Sequence, residues 1–372
     1  MLLKKLGRTE VFLPAIGQGT TGTGPLATRD EARDRHRIRV LQQGIDLGMT
    51  LIDTAELYGG GHGEELTGRA IAGRRHQVFL ASKFNPANNA PAAMESALLG
   101  SLKRLGTDYL DLYQMHWPYP SLPIEETLGG LARLVEKGVI RRIGLSNVCL
   151  AELERACQVA EIASVQLEYN LTDRSIEADV LPFCEQHGIS VLAYGVLDRG
   201  RSYAANPIIG NLSRKYGKSP SQIMLSWAMA RQPVIVLTMT TNPEHLSEAA
   251  ATADFKMAAE DMRALEESTR CSVSYVAPGD IRVTADSRPA YESLEAAVAN
   301  PRDLIPHPVE LAANIRKFGI EKPVRVKRLT DPGAPKPYQL VGEHLRFWAW
   351  IIAYGWERRI PVYDVTPPAG AV

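Results

Sequence analysis

Four polar side chains that can carry or orient a proton stand at, or just beyond, the ends of short apolar runs. Asp53 follows "LI", Tyr58 comes five positions later beside three glycines, Lys83 closes "VFLASK", and His116 closes "LDLYQMH". A lysine cation close to a phenol favours the phenolate and lowers the pKa of the tyrosine. A carboxylate would keep that lysine in place. Together these residue types predict a proton-transfer apparatus in which Tyr58 is the group that exchanges the proton.

These side chains can meet only if the strands that carry them lie in one sheet. Short β-rich runs alternate with helical patterns from about residue 15 to 270, which is typical of parallel strands joined by crossover helices. The predicted strands are "AIGQG" (15–19), "LIDT" (51–54), "VFLASK" (78–83), "LDLYQMH" (110–116), "IRRIGLS" (140–146), "SVQLEY" (164–169), "SVLAY" (190–194) and "VIVLT" (234–238). The clearest predicted helices are Asp34–Gly48, Ala92–Leu105, Ile124–Lys137 and Leu150–Val159.

Eight such units in about 250 residues predict an α/β fold, a closed (β/α)8 TIM barrel with its active site at the carboxyl ends of the strands. An open doubly wound sheet is the alternative, but no GxGxxG motif opens the first unit. The first residues, "LLKKLG" and "VFLPAIG", predict a hairpin that closes the barrel floor.

Composition excludes several classes of function. Lys+Arg and Asp+Glu both number 42, so the formal net charge is zero, which argues against coating nucleic acid or a membrane surface. The four cysteines form no CxxC pair, so neither a metal site nor a disulfide framework is predicted. The N-terminus lacks the apolar core of a signal peptide, and no run of about 18 apolar residues occurs. These features predict a cytoplasmic protein with reduced thiols.

Six ordered motifs resemble those of the aldo-keto reductase family. "DTAELYG", "ASKF" and "YQMHWP" resemble the signatures of that family's catalytic tetrad, and "GLSN", "VQLEYN" and "AYG" resemble its nicotinamide-contacting positions. The resemblance covers residues 1–268. It implies a (β/α)8 barrel that reduces aldehydes or ketones with NADPH, or runs the reverse oxidation, with NADH as the alternative cofactor.

The resemblance also implies a role for each matching residue. Tyr58 would be the general acid in reduction and the base in oxidation, while His116 would donate a hydrogen bond to the carbonyl oxygen. Gly22–Leu26 and Trp117 would line the substrate pocket. The residues that would hold the nicotinamide, by its carboxamide or by its ring, are Ser146, Asn147, Gln166 and Tyr194. The simpler alternative is that Gln166 and Tyr194 only fill the barrel mouth.

The adenosine end of the cofactor would bind after the eighth strand, in "VLTMTTNPEHLSEAA". The residues implied there are Thr238, Thr240, Thr241, Asn242, His245 and Glu248. Met239 stands where the family usually has Gly or Lys, and Ala249 replaces its usual Asn, so the segment carries few fixed cations. Arg199 and Arg201 could cover the pyrophosphate, with solvated surface arginines as the alternative.

A change of composition at 271–280 predicts a linker between a barrel at 1–270 and a small α+β domain at 280–366. Segments of that domain resemble the ParB/sulfiredoxin-like fold: "NIRKFG", "PVRV" and "GEHLR". The resemblance implies a nucleotide-phosphate site at Gly342, Glu343, His344 and Arg346, although the arginine lies about one position later than in most members. The alternative is a domain that has kept the fold but lost the site, and that serves as a lid or a dimer contact. The charge of the domain is only slightly positive, so nucleic-acid binding is not expected.

Three functions remain open at the level of sequence. The first is an NAD(P)H-dependent carbonyl reductase with an accessory domain. The second is a sensor that binds a nicotinamide nucleotide without catalysis. The third is a bifunctional protein whose second domain binds a nucleotide phosphate.

Overall fold

The computed structural model describes residues 1–21, 30–119, 122–198, 206–269, 273–284, 291–302, 304, 306–320, 322–329 and 336–366. The chain divides into two compact units, Met1–Ser268 and Thr269–Val372. Within the described ranges, no helix is both long enough and apolar enough to cross a lipid bilayer.

The first unit is a closed barrel of eight parallel strands, as predicted. The barrel strands are β3 (Ile16–Gly19), β4 (Leu51–Asp53), β5 (Phe79–Phe84), β6 (Leu112–Met115), β7 (Ile143–Ser146), β8 (Ile162–Glu168), β9 (Ser190–Tyr194) and β10 (Val234–Thr238). Each strand pairs with the next one along the chain, and β10 closes the cylinder against β3. All eight strands overlap the predicted ones.

Helices cover the outside of this barrel. The described helices of the first unit are α1 (Glu31–Asp46), α2 (His62–Ile71), α3 (Pro91–Leu105), α4 (Ile124–Glu136), α5 (Leu150–Val159), α6 (Val180–His187), α7 (Pro207–Tyr216), α8 (Pro220–Met229), α9 (Pro243–Ala251) and α10 (Ala259–Ser268). Side chains cap the starts of α1, α6, α7, α8 and α9. The Asp30 side chain, for example, accepts hydrogen bonds from two backbone amides at the start of α1.

Side chains of the strands alternate between the barrel interior and the layer that faces the helices. Leu51 belongs to an interior apolar cluster and Ile52 to the outer core, so alternation turns Asp53 back to the interior. Ala81 lies in the same interior cluster, which places Lys83 inside as well. The polar site therefore forms the top layer of the barrel interior, above layers of apolar side chains.

The N-terminal hairpin closes the opposite end of the barrel, also as predicted. Strands β1 (Leu3–Lys5) and β2 (Phe12–Pro14) pair antiparallel, and the interior apolar cluster includes Leu6 and Leu13. The ammonium group of Lys4 donates to the backbone oxygens of three residues around β10, at 2.6–2.7 Å. The floor is thus sealed, and the opposite mouth carries the polar residues.

The second unit is an α+β structure built on a five-stranded mixed sheet of order β11-β15-β13-β14-β12. Its strands are β11 (Val273–Val276), β12 (Ile281–Arg282), β13 (Val324–Arg328), β14 (Tyr338–Gly342) and β15 (Ile360–Asp364). Its described helices are α11 (Leu294–Ala299), α12 (Pro308–Phe318) and α13 (His344–Tyr354).

The linker predicted at 271–280 is wrong over Val273–Val276. This segment is an edge strand that pairs antiparallel with Ile360–Tyr363. Its β-branched and aromatic residues, "VSYV", favour a strand, but only the partner strand, far away in the chain, could show that it is paired.

Candidate active site at the barrel mouth

Lys83 lies at the centre of the polar layer and links two other predicted catalytic residues. Its Nζ donates to Asp53 Oδ2 at 2.6 Å, to the backbone oxygen of Thr54 at 2.8 Å and to Tyr58 Oη at 3.1 Å. Lys83 is fully buried, and Asp53 is only 3% exposed. A buried ion pair persists when further hydrogen bonds satisfy both groups, and here the chain of contacts ends on a phenol.

The electrostatics of the phenol differ in one respect from the sequence prediction. Burial raises the pKa of Tyr58, and the Lys83 cation opposes that effect without overcoming it. Lys83 itself stays charged: burial lowers its pKa, but Asp53 and Tyr58 together outweigh burial and raise it. The expected net lowering of the tyrosine pKa is therefore absent from the free protein. Near neutral pH, Tyr58 carries its proton and can donate it.

His116 lies beside the phenol, with the two rings edge to face and their centroids 5.7 Å apart. Burial and the neighbouring Lys83 cation lower the pKa of His116 to about 2, so the imidazole is neutral at any working pH. Its Nδ1 is buried and makes no hydrogen bond to the described part of the chain. This favours the tautomer with the proton on Nε2, which leaves that N–H as a hydrogen-bond donor.

The positions predicted to hold a nicotinamide form one connected set. Asn147 has a left-handed backbone, with φ 56°, and its Nδ2 donates to His116 O and to Ser146 Oγ, both at 3.0 Å. Its Oδ1 accepts from Tyr194 Oη at 2.8 Å. Asn tolerates this backbone conformation better than most residues. The carboxamide of Asn147 is therefore fixed beside His116.

Gln166 contacts the acidic end of the site, which sequence reasoning did not foresee. Its Nε2 donates to Asp53 Oδ1 at 2.9 Å. Gln114, a residue missed altogether, donates to the same oxygen at 3.1 Å. One signal could have revealed it: Gln114 stands two residues before His116, so both face the barrel interior by strand alternation.

The residues predicted to bind adenosine form a separate group after β10. The hydroxyl of Thr240 accepts from Asn242 N at 3.0 Å, and the Asn242 side chain caps α9 by accepting from Glu244 N at 2.8 Å. Glu248 accepts from Ser219 Oγ at 3.1 Å. These contacts are those of an ordinary helix start, and they join this group to neighbouring elements.

In the described part of the chain, the other members of that group make no hydrogen bond to Asp53, Tyr58, Lys83 or His116. Thr238 is buried and lies on the helix-facing side of β10, because Leu237 belongs to the interior cluster. The Thr241 carbonyl contacts His36 Nε2 at 2.6 Å, and His245 is exposed. Arg199, Arg201 and Gly22–Leu26 lie outside the described residues.

The phosphate site predicted in the second unit contains an ion cluster. Glu343 precedes α13 with a left-handed backbone, φ 61°. Its carboxylate pairs with Arg346 at 2.5 Å, Lys322 at 3.4 Å and Arg325 at 4.0 Å. Burial alone would raise the pKa of Glu343, but the three cations lower it to about 2. The place predicted for a ligand anion thus already holds a carboxylate of the chain.

Comparison with known proteins gives one consistent result for the barrel. The sequence model of a protein family, described as "Aldo/keto reductase family", matches residues 15–270. Methylglyoxal reductase YeaE of Escherichia coli is 35% identical over 266 residues, which are 70% of this chain and 92% of that protein. Aldo-keto reductase YhdN of Bacillus subtilis is 42% identical over 204 residues, or 52% of this chain and 61% of that protein.

Solved structures of aldo-keto reductases are also similar to this chain. The thermostable aldo-keto reductase Tm1743, crystallised with the inhibitor epalrestat, is 40% identical, with a TM-score of 0.69, and the match covers 72% of this chain and 99% of that one. An aldo/keto reductase of Klebsiella pneumoniae in complex with NADP and acetate is 36% identical, with a TM-score of 0.66, covering 71% and 95% respectively.

Proposed function

The chain belongs to the aldo/keto reductase family, and we propose that Tyr58 donates the proton in the reaction of this NAD(P)H-dependent oxidoreductase. The enzyme reduces an aldehyde or ketone to an alcohol or runs the reverse oxidation, and similar structures are complexes with NADP and NADPH. NADPH, when bound, supplies the hydride. The single observation that carries the assignment of Tyr58 is the hydrogen-bonded chain from Asp53 through Lys83 to its phenol.

Only one of the two candidate proton donors suits reduction. A neutral imidazole with a pKa of about 2 for its acid form can donate a hydrogen bond, but it has no readily available proton to lose. Tyr58 is protonated at neutral pH, and the adjacent Lys83 cation stabilises the phenolate that remains after proton transfer. We therefore assign proton transfer to Tyr58 and orientation of the carbonyl oxygen to His116.

The residues at the mouth fit a nicotinamide. Gly19 pairs with Asp53 across β3 and β4, and among the described residues a Cβ added at Gly19 would meet no atom nearer than 3.6 Å. The glycine therefore leaves room for about one methyl group beside the polar layer. Ser146, Asn147 and Gln166 supply hydroxyl and carboxamide groups that match a nicotinamide carboxamide, and Tyr194 supplies an aromatic face. The adenosine end would lie at Thr238, Thr240, Thr241, Asn242, His245 and Glu248.

For the substrate we propose a small aldehyde. One relative is named a methylglyoxal reductase, which makes methylglyoxal the first compound to try. In the described part of the mouth, the Trp117 ring stacks on His116 with centroids 3.9 Å apart. This stacking narrows the space beside the carbonyl-orienting group and suits a compact substrate.

A pair of tyrosine variants tests the assignment. Tyr58→Phe should reduce kcat by about 10³-fold while leaving NADPH binding intact, measured by loss of NADPH absorbance with a panel of aldehydes that includes methylglyoxal. Tyr113→Phe is the matched control, because Tyr113 is buried in the outer core rather than at the mouth. Full activity of Tyr58→Phe would refute the role of this phenol.

The comparisons do not favour a non-catalytic sensor.

We propose a ParB/sulfiredoxin-like fold for the second unit, supported by the order of α12, β13, β14 and a helix that opens after Gly342. A nucleotide at Gly342, Glu343, His344 and Arg346 is a secondary proposal. The basic side chains of Lys322, Arg325 and Arg346 at this place support it, while the carboxylate of Glu343 competes for the same groups. Thermal shifts with ATP, ADP and CTP on the full chain and on Arg346→Ala would test it.

We also propose a cytoplasmic location. Two of the described cysteines, Cys157 and Cys184, are free thiols, which is the state expected in a reducing compartment.

A further inference from the structure

Asp53 is held by more than its ion pair. Its Oδ2 accepts from Lys83, while its Oδ1 accepts from the carboxamides of Gln114 and Gln166. A carboxylate offers about four acceptor positions, and three of them are filled by buried donors on three different strands. The direction in which Asp53 points is thereby fixed from both of its oxygens.

Gln114 fills a space between its two neighbouring strands. It is fully buried and lies opposite Lys83 in the pairing of β5 with β6. On the other side its register partner is Gly144 of β7, where an added Cβ would come within 2.8 Å of Gln114 Cγ. The missing side chain at Gly144 leaves the room that the glutamine fills.

Among the described residues, the Gln114 side chain makes one hydrogen bond, to Asp53. Its Oε1 is buried without a hydrogen-bond partner among the described residues, and a buried carbonyl left unsatisfied costs stability. An apolar side chain of the same length would carry no such cost. The orientation of the carboxamide is also unambiguous, because only its NH2 group can donate to a carboxylate. Its donation to Asp53 is the contact that explains a glutamine here.

Resting on the proposed role of Tyr58, we infer that Gln114 is a positioning residue that orients Asp53 and, through it, the ammonium group of Lys83 against the phenol. Loss of the carboxamide would let Asp53 turn about its side-chain bond, and the Lys83 Nζ would follow its strongest partner away from Tyr58. The distances in the site would change by a fraction of an ångström, and such displacement is enough to slow a catalytic step.

Two Gln→Met substitutions test this inference, because they should have opposite effects on kcat and on the unfolding temperature. Gln114→Met should lower kcat by about tenfold, leave KM for NADPH unchanged, and leave the thermal unfolding temperature of the free protein unchanged or higher. Gln18 is the control: it is buried on the helix-facing side of β3, and its Nε2 donates to the backbone oxygens of Leu41 and Met49. Gln18→Met should lower the unfolding temperature and leave kcat unchanged.

A second background tests whether Gln114 acts through Asp53. In Asp53→Asn, the further change Gln114→Met should alter kcat by less than about twofold, because the partner through which it acts is already gone. An unchanged kcat in Gln114→Met alone, or a tenfold loss of kcat that persists in the Asp53→Asn background, would overturn the inference. The proposed function would stand in either case, provided that the native enzyme reduces an aldehyde. If none of the aldehydes tested supports NADPH oxidation by the native enzyme, the proposed function is overturned instead, and this inference with it.

Discussion

Two buried carboxylates, Asp53 in the barrel and Glu343 in the second unit, are both held by cations, yet their surroundings differ. Asp53 faces one cation, Lys83, and two neutral carboxamides. Glu343 faces three cations, Lys322, Arg325 and Arg346. The barrel cluster is balanced, with one cation for one carboxylate, whereas three cations converge on the single carboxylate of the second cluster.

The difference shows what makes an ion pair useful for chemistry. In the barrel, the cation that balances Asp53 also contacts a phenol at 3.1 Å, so the pair can stabilise the phenolate that proton transfer produces. In the described part of the chain, the Glu343 carboxylate pairs with cations. Its charge is locked at the start of α13, where an anion is favoured by the helix dipole. With the role proposed for Tyr58, the same residue types support proton transfer in one unit and local stability in the other.

The largest expected effect comes from removing the single cation of the balanced cluster. Lys83→Met should lower kcat by about 10³-fold, because the phenolate loses its stabilising charge. It should also destabilise the barrel by about 3–5 kcal/mol, because a buried carboxylate is left uncompensated. Steady-state kinetics and thermal unfolding measure the two effects.

The double variant Asp53→Asn/Lys83→Met separates these two effects. Removing both charges should restore most of the stability and none of the activity. Recovery of kcat in the double variant would mean that the ion pair serves only the fold.

The second expected effect sharpens the comparison in the other unit. Glu343→Gln should lower the unfolding free energy of the second unit by about 3 kcal/mol near neutral pH, with no change in kcat. Because the pKa of Glu343 is depressed to about 2, its contribution is fully present above the unfolded value of 4.5 and is lost as pH falls from there towards 2. Urea unfolding of the native chain and the variant should therefore converge at acidic pH.

Glu357→Gln is the control for that experiment. Glu357 is an exposed carboxylate of the same unit, and its substitution should change stability by less than about 0.5 kcal/mol. Amide exchange should localise the loss in Glu343→Gln to α13. A constant difference between native chain and Glu343→Gln across the acidic range would contradict the cluster described here.

The smallest expected effect concerns the neutral neighbour of the balanced cluster. His116→Gln keeps a hydrogen-bond donor at the mouth, so kcat should fall by only about tenfold. The ratio of native to variant kcat should stay constant from about pH 5 to 8, since burial and Lys83 keep His116 neutral there. A ratio that changes around pH 6 would show that the imidazole titrates during turnover.

Much of the barrel follows from local pattern. The run around Leu51 and Ile52 is short, apolar and closed by a polar residue, which predicts a buried strand whose end faces the site. The edge strand Val273–Val276 escaped prediction because its pairing with β15 joins segments far apart in the chain. A four-residue segment carries too little signal of its own to show a pairing at that distance.

The sequence by itself determined the eight-stranded barrel and which side chains meet at its mouth, namely Asp53, Tyr58, Lys83 and His116. It could do so because strand ends and motif order are local properties of the chain. Only the tertiary structure decided the balance of forces among them. Burial outweighs Lys83 at the tyrosine, and Gln114 and Gln166 converge on Asp53 from two other strands. Desolvation and hydrogen bonding depend on what surrounds a group in space, and barrel closure sets those surroundings.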